Sequence, residues 1–386
     1  MHPLRWVLHP TLLVLTGFLL AQGLQSLGFN TRLDWTVLYA LAWYGLLPLI
    51  VYEIALRLNA EGLFRNLGLI VWLAIPLLLA QVGVAALLLY AGLGEAQAFP
   101  LLAALLTATF LVANSPAVVV RVFEPLHLPA RSLALLKGES LFGSVFALIL
   151  ASLLLQVAQQ MEPLNSLQSF VYFTKLFAGG VFVGLLAGLL GLAVLHFARF
   201  PVLRGLLSVI GAYVTFIAAD ALLEVSGIVA VLVAGLVLNA YRQRTDLMSR
   251  RWLDTQWRWT ARLASAFMFL LLGFSVYVPI LLEQWQAVLW GIMGVLLARW
   301  VVLAGGFWVY GNVGKQPALK LNEQITLMLG GIKGMISILL VFALPVDADY
   351  SYTIQAVVYG VVLASLLVQV PLVHGWMWAR RKPMPK

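Results

Sequence analysis

Apolar residues along the chain gather into long runs separated by short polar breaks. The runs cover roughly 10–29, 35–56, 66–93, 97–121, 132–158, 169–198, 203–223, 226–241, 258–282, 285–311, 322–345 and 351–379. A helix needs about 20 apolar residues to cross the hydrocarbon of a bilayer. The pattern therefore predicts an all-α polytopic membrane protein of about twelve transmembrane helices, with almost nothing left over for a separate soluble domain. The first run carries Gln22, Gln25 and Ser26 in its second half, which predicts a short or bent helix. It follows a single arginine and has no Ala-x-Ala-type cleavage site, so it does not read as a signal peptide.

Composition agrees. Of 386 residues, 62% are apolar and 10% charged, against roughly 25% charged in an ordinary soluble domain. That excludes a water-soluble enzyme, and no cofactor is expected. The chain has no cysteine, which removes disulfides, thiolate metal sites and redox pairs from consideration.

The net charge of +9 changes the picture only through where the charges fall. Arg5, Arg57, Arg65, Arg121, Arg131, Lys137, Arg199, Arg204, Arg242, Arg244, Arg250, Arg251, Lys315, Lys320, Arg380, Arg381, Lys382 and Lys386 occupy alternate loops and the tail, all on one side if the chain crosses twelve times. The other side carries Glu95, Glu162, Glu224, Glu283, Asp347 and Asp349, with Arg32 and Lys175 as bases. By the positive-inside rule both termini are cytoplasmic, in a cell (inner) membrane. The basic balance is a topology signal, and nucleic acid is not an expected partner.

Ionisable or helix-breaking residues deep inside apolar runs are costly and hence functional candidates. The fourth run ends its polar stretch Asn114-Ser115 directly before Pro116, which removes a backbone donor and clashes with the preceding turn. It reads either as a helix broken within the membrane or as an ordinary proline kink. In the fifth run Glu139, Ser140, Gly143 and Ser144 lie within about one turn of each other. Glu139 cannot stay charged alone in hydrocarbon, and Arg299, in the middle of the tenth run, is the economical partner for a structural ion pair. In the eleventh run Lys333 sits among Gly330, Gly331 and Gly334, a composition that lets a helix unwind. Paired interrupted helices near the midplane are how inverted-repeat transporters hold substrate, and the fourth and eleventh runs fit that pattern.

These motifs resemble the monovalent cation:proton antiporter-1 family of sodium/proton exchangers. Leu46-Leu-Pro-Leu-Ile-Val-Tyr-Glu-Ile-Ala-Leu-Arg-Leu-Asn59, Ala113-Asn-Ser-Pro-Ala-Val-Val119, Leu128-Pro-Ala-Arg131, Gly138-Glu-Ser-Leu-Phe-Gly-Ser144, Ser226-Gly-Ile-Val-Ala-Val-Leu-Val-Ala-Gly-Leu236, Ala298-Arg299, Gly331-Ile-Lys-Gly-Met-Ile-Ser337 and Ser365-Leu-Leu-Val-Gln369 all stand in the family's order. The resemblance implies inverted repeats with two crossing broken helices in a mobile core, here roughly 66–158 and 285–379. Scaffold and dimer helices would be roughly 10–56 and 203–282, and a homodimer is implied. Members often have thirteen helices, so this chain looks as though it lacks the first. The Glu139–Arg299 pair matches positions that the family uses structurally.

The departures bear on chemistry. Where the family carries ion and proton on an Asn-Asp pair, this chain has Gly143 and Ser144. Ser115 replaces the crossover aspartate and Lys333 the usual arginine. A cation would meet only hydroxyls and carbonyls around Asn114, Ser115, Ser140 and Ser144, with Lys333 repelling it. A lysine held away from water can release its proton, so Lys333 is a candidate proton carrier or anion contact. Glu53 and Asp220 are the other buried acids that could compensate. Three readings follow: a Na⁺ or K⁺:proton antiporter whose proton carrier has moved, a transporter of an anion or neutral solute on the same scaffold, or a non-transporting membrane protein that binds a partner. No resident metal is expected beyond a transported cation.

Overall fold

A computed structural model describes residues 10–27, 35–58, 62, 65–126, 128–160, 166–198, 200–244, 250–313, 319–344 and 350–379. Arg5, Arg32, Glu162, Arg199, Lys315, Asp347, Asp349 and the basic residues 380–386 lie outside them, as do the side chains of Glu95, Arg244, Arg250 and Arg251.

All regular secondary structure among the described residues is helix. In chain order the α-helices are α1 (Pro10–Ser26), α2 (Trp35–Ala40), α3 (Leu47–Arg57), α4 (Leu67–Ala74), α5 (Pro76–Gln97), α6 (Leu101–Val112), α7 (Pro116–Phe123), α8 (Ala130–Gln160), α9 (Ser166–Phe197), α10 (Pro201–Ile217), α11 (Gly227–Arg244), α12 (Arg250–Phe274), α13 (Val278–Glu283), α14 (Trp285–Val313), α15 (Leu321–Leu329), α16 (Met335–Phe342), α17 (Ser351–Ala364) and α18 (Val370–Ala379). Of three π-helical turns among the described residues, Leu41–Leu46 and Ser365–Gln369 are spliced into otherwise continuous helices, and Ala218–Leu222 closes the C-terminal end of α10.

Eight helical stretches among the described residues are long and apolar enough to cross a membrane, from Val37–Arg57 to Ser351–Trp376. The other four apolar runs also fold as helix, and each falls short for its own reason. α1 has 17 residues, Gly227–Arg242 is short, Arg258 and Arg262 dilute the apolar character of α12, and the eleventh run is cut into α15 and α16.

The chain divides into two compact units. One comprises the described residues within 13–65 and 156–275. Within it α9 packs along α11 where a Cβ on Gly184 would meet the carbonyl oxygen of Ala230 at 2.5 Å, the small-residue contact usual between membrane helices. The rest of α9 leaves Phe182, Leu185, Leu186, Leu189 and Leu190 exposed, as a lipid-facing helix does. The C-terminal end of α3 is closed by Asn239, whose amide donates to the carbonyls of Ala55 and Leu58, and by Arg242, which donates to that of Leu56.

The second unit comprises residues 9–12, 66–155 and 276–386. Its centre is α6 and α16. In α6 every residue from Leu106 to Val112 is buried, and in α16 every residue from Met335 to Val341. Helices apolar all round belong in the middle of a bundle. Both end inside that bundle.

Candidate ion site at the crossing of two interrupted helices

α6 stops at Val112, residues 113–115 are unwound, and α7 begins with Pro116 at its first position. Proline is tolerated there because that N–H would be unpaired anyway. α15 stops at Leu329, and residues 331–334 are extended or irregular before α16 resumes at Met335. The break predicted at Asn114-Ser115-Pro116 is thus a true interruption rather than a kink. The two unwound segments meet directly: the Ser115 N–H donates to the Ile332 carbonyl at 3.0 Å. A Cβ on Gly334 would lie 2.7 Å from that of Ser115, so glycine is what allows the crossing to be this close.

A helix that ends inside a membrane protein leaves carbonyls unpaired, and these must find donors. At the end of α6 the Lys333 ammonium donates to the Val112 carbonyl at 3.3 Å and to Asn114 Oδ1 at 2.9 Å. The Ser144 hydroxyl reaches the carbonyls of Asn114 and Ser140, and Ser337 Oγ lies 3.4 Å from that of Ala113. At the end of α15 the Arg299 guanidinium donates to the carbonyls of Leu327 and Met328. Gln369 Nε2 serves Leu329 at 3.1 Å and approaches Gly331 O at 3.5 Å. Cations at helix C-termini also oppose the negative end of the dipole.

Glu139 joins the two ends. Its Oε1 lies 2.8 Å from Arg299 Nη2 and accepts from Asn114 Nδ2 at 3.3 Å. A continuous chain therefore runs Lys333, Asn114, Glu139, Arg299, with residue exposures of 2%, 6%, 4% and 3%. Asn114 is held in one sense, its amide nitrogen toward the carboxylate and its oxygen toward the ammonium.

A family model described as "Sodium/hydrogen exchanger, transmembrane" matches residues 1–379. The chain belongs to the sodium/hydrogen exchanger family. Its curated relatives include the Na(+)/H(+) antiporter ApNhaP of Aphanothece halophytica, 29% identical over 330 residues, covering 84% of this chain and 61% of that protein. The Na(+)/H(+) antiporter NhaH of Halobacillus aidingensis is 30% identical over 278 residues, covering 70% of this chain and 66% of that protein. The chain thus spans about three fifths of the length of the first of these relatives. Among solved structures, the sodium proton antiporter MjNhaP1 of Methanocaldococcus jannaschii superimposes with a TM-score of 0.80 at 19% identity, covering 96% of this chain and 92% of that one. That likeness establishes the antiporter fold.

Within this exchanger-family fold, Asn114, Ser115, Ser144 and Lys333 come together at the crossing. Ser140 turns its hydroxyl along its own helix, onto the Lys137 carbonyl at 3.1 Å. Gly143 is buried, and a Cβ there would make an ordinary 3.5 Å contact with Leu78. Glu53 and Asp220 lie in the other unit and are engaged there. Glu53 pairs with Arg57 at 3.0 Å, and Asp220 accepts from the Tyr44 hydroxyl at 2.9 Å and the Trp43 indole at 3.2 Å. Three residues at the crossing were missed as site residues: Ser337, Ser365 and Gln369. The last two are polar residues at i and i+4 in an apolar run, a signal that was visible in the family motif Ser365-Leu-Leu-Val-Gln369.

Proposed function

We propose that this chain is a membrane domain that exchanges a monovalent cation, Na⁺ or K⁺, for protons, and that Lys333 carries the exchanged proton. The observation behind this is that the Lys333 ammonium occupies Val112 O and Asn114 Oδ1, oxygens that a small hard cation would itself seek. Asn114 O and Ser144 Oγ lie alongside. A protonated lysine and a bound cation would then compete for one set of oxygens. At a separation of about 4 Å and an effective dielectric of about 20 their repulsion is about 4 kcal/mol, roughly a thousandfold in occupancy. One cation enters as one proton leaves, so the charge of the site does not change. This gives obligatory exchange without a carboxylate at position 144.

In the same reading the unit of residues 66–155 and 276–386 is the moving core. The other unit is the scaffold and carries a homodimer contact. The protein sits in the cell membrane with both termini cytoplasmic. The chain has no native cysteine, so Gln160→Cys and Gln243→Cys can test the topology: an impermeant thiol reagent outside intact cells should label only the first.

The function is tested in proteoliposomes carrying an outward proton gradient, supplied in turn with Na⁺, K⁺, Li⁺ and a panel of anions. Cation uptake coupled to proton release is expected from the unmodified chain. Lys333→Arg should abolish it while preserving the fold, because arginine keeps the charge and does not titrate. Coupled exchange that survives Lys333→Arg overturns the role of Lys333. Anion flux alone, or no flux, overturns the antiporter reading.

A further inference from the structure

The π-helical turn Ser365–Gln369 stands directly behind the second interruption. Such turns are rare and concentrate at functional sites. Gln369 Oε1 accepts the Ser365 hydroxyl at 2.8 Å, while its Nε2 donates to Leu329 O at 3.1 Å. Ser365 Oγ in turn accepts the backbone N–H of Lys333 at 2.9 Å. The polarity of this relay is fixed, since the hydroxyl's single proton goes to Gln369 and its lone pair receives the Lys333 amide. The turn is itself anchored: the Leu366 carbonyl accepts the Thr11 hydroxyl at 2.7 Å.

We infer that Ser365 and Gln369 are positioning residues for Lys333. The lysine stem has four rotatable carbons, and an unwound segment with Gly331 and Gly334 on either side of the lysine offers little stiffness of its own. Where the ammonium lands depends on where the Lys333 backbone is held. The relay holds that backbone from one side, and Val112 O with Asn114 Oδ1 receives the ammonium on the other. Without the relay the ammonium samples several positions, and the overlap between proton and cation sites weakens. The inference rests on the reading of Lys333 as the exchanged group.

The test uses the full chain in proteoliposomes, with Ser365→Ala, Gln369→Ala and the conservative Ser365→Thr beside the unmodified protein. Both alanine variants should raise the KM for Na⁺ about tenfold with kcat within about twofold, and should displace the pH profile of exchange. Ser365→Thr should restore both. In detergent, hydrogen–deuterium exchange of the amides in residues 329–335 should be about tenfold faster in the alanine variants, with α5 unaffected. A merely structural role predicts less folded protein with unchanged KM and pH profile, and that result overturns the inference. If the unmodified chain exchanges no cation, the antiporter reading falls and amide exchange decides alone. Unchanged protection of 329–335 in Ser365→Ala then overturns the positioning role, and faster exchange there upholds it.

Discussion

At the first interruption, residues 113–115, helix-end carbonyls are met by a lysine ammonium and two hydroxyls. At the second, residues 330–334, they are met by an arginine and a carboxamide. The first break is short and bounded by proline, and the second carries three glycines. The charges differ more. Arg299 has a carboxylate partner at 2.8 Å, whereas the acceptors of Lys333 are a neutral amide and a carbonyl. One crossing therefore has a closed charge pair on one side and a charge with neutral partners on the other. The closed pair suits a fixed brace. The lysine can lose its proton without leaving a carboxylate stranded beside it, which suits a group that changes state.

The largest effect expected from this difference is on stability. Glu139→Gln or Arg299→Met alone should cost about 3–5 kcal/mol, because each leaves a buried charge uncompensated. The double variant should recover part of that loss. Lys333→Met should cost less than either, since no partner charge is stranded. Thermal unfolding in detergent checks both, and equal losses at Lys333 and Arg299 would erase the distinction.

Next is the packing at the two glycines. A Cβ on Gly331 would collide with the Arg299 side chain, and one on Gly334 with Ser115. Gly331→Ala and Gly334→Ala should each destabilise by about 1–3 kcal/mol, as overpacking does. Ser115→Gly should rescue Gly334→Ala and leave Gly331→Ala unimproved, which locates each clash at its own interruption.

A smaller change is expected from returning a carboxylate to the first break. A Cβ at position 143 would meet Leu78 at an ordinary 3.5 Å, so Gly143→Asn with Ser144→Asp should fold with adjustment of that leucine. Placed beside the Lys333 acceptors, the aspartate would supply a titrating cation ligand. Na⁺-dependent proton efflux, read with a pH dye in everted vesicles, should rise and should no longer depend on Lys333. The smallest effect is at Ser337, whose contact with Ala113 O is 3.4 Å. Ser337→Ala should shift stability by about 0.5–1 kcal/mol in thermal unfolding.

How far the sequence disclosed this site follows from the kind of residue involved. Glu139 and Arg299 were legible because a charge inside an apolar run demands a partner, and both stand at positions that the resemblance pairs. Both interruptions were legible because proline and clustered glycine act on the backbone where they stand. The partner of Lys333 was not. Asn114 lies 219 residues away and is neutral, and nothing in a search for opposite charge points to it. The carbonyl of Val112 has no sequence signature at all, since every residue has one. Glu53 and Asp220 read as possible compensating acids because burial is visible in a sequence and the identity of a neighbour is not. Ser365 and Gln369 stood in a recognised motif without a role, since their work is on the backbone of another segment.

The three π-helical turns have a consequence for evolution. Each wraps five residues into a bond that an α-helix closes with four, so the two that lie inside continuous helices each amount to one extra residue there. A relative with a plain α-helix at Ser365–Gln369 would align with this chain only by opening a single-residue gap in the middle of a transmembrane segment. Deleting Val368 would let the turn close as a plain α-helix with the later residues near their present faces, and would shorten the four-residue spacing through which Ser365 and Gln369 meet. Between such relatives, the gap itself would mark which chains keep the carboxamide at the crossing.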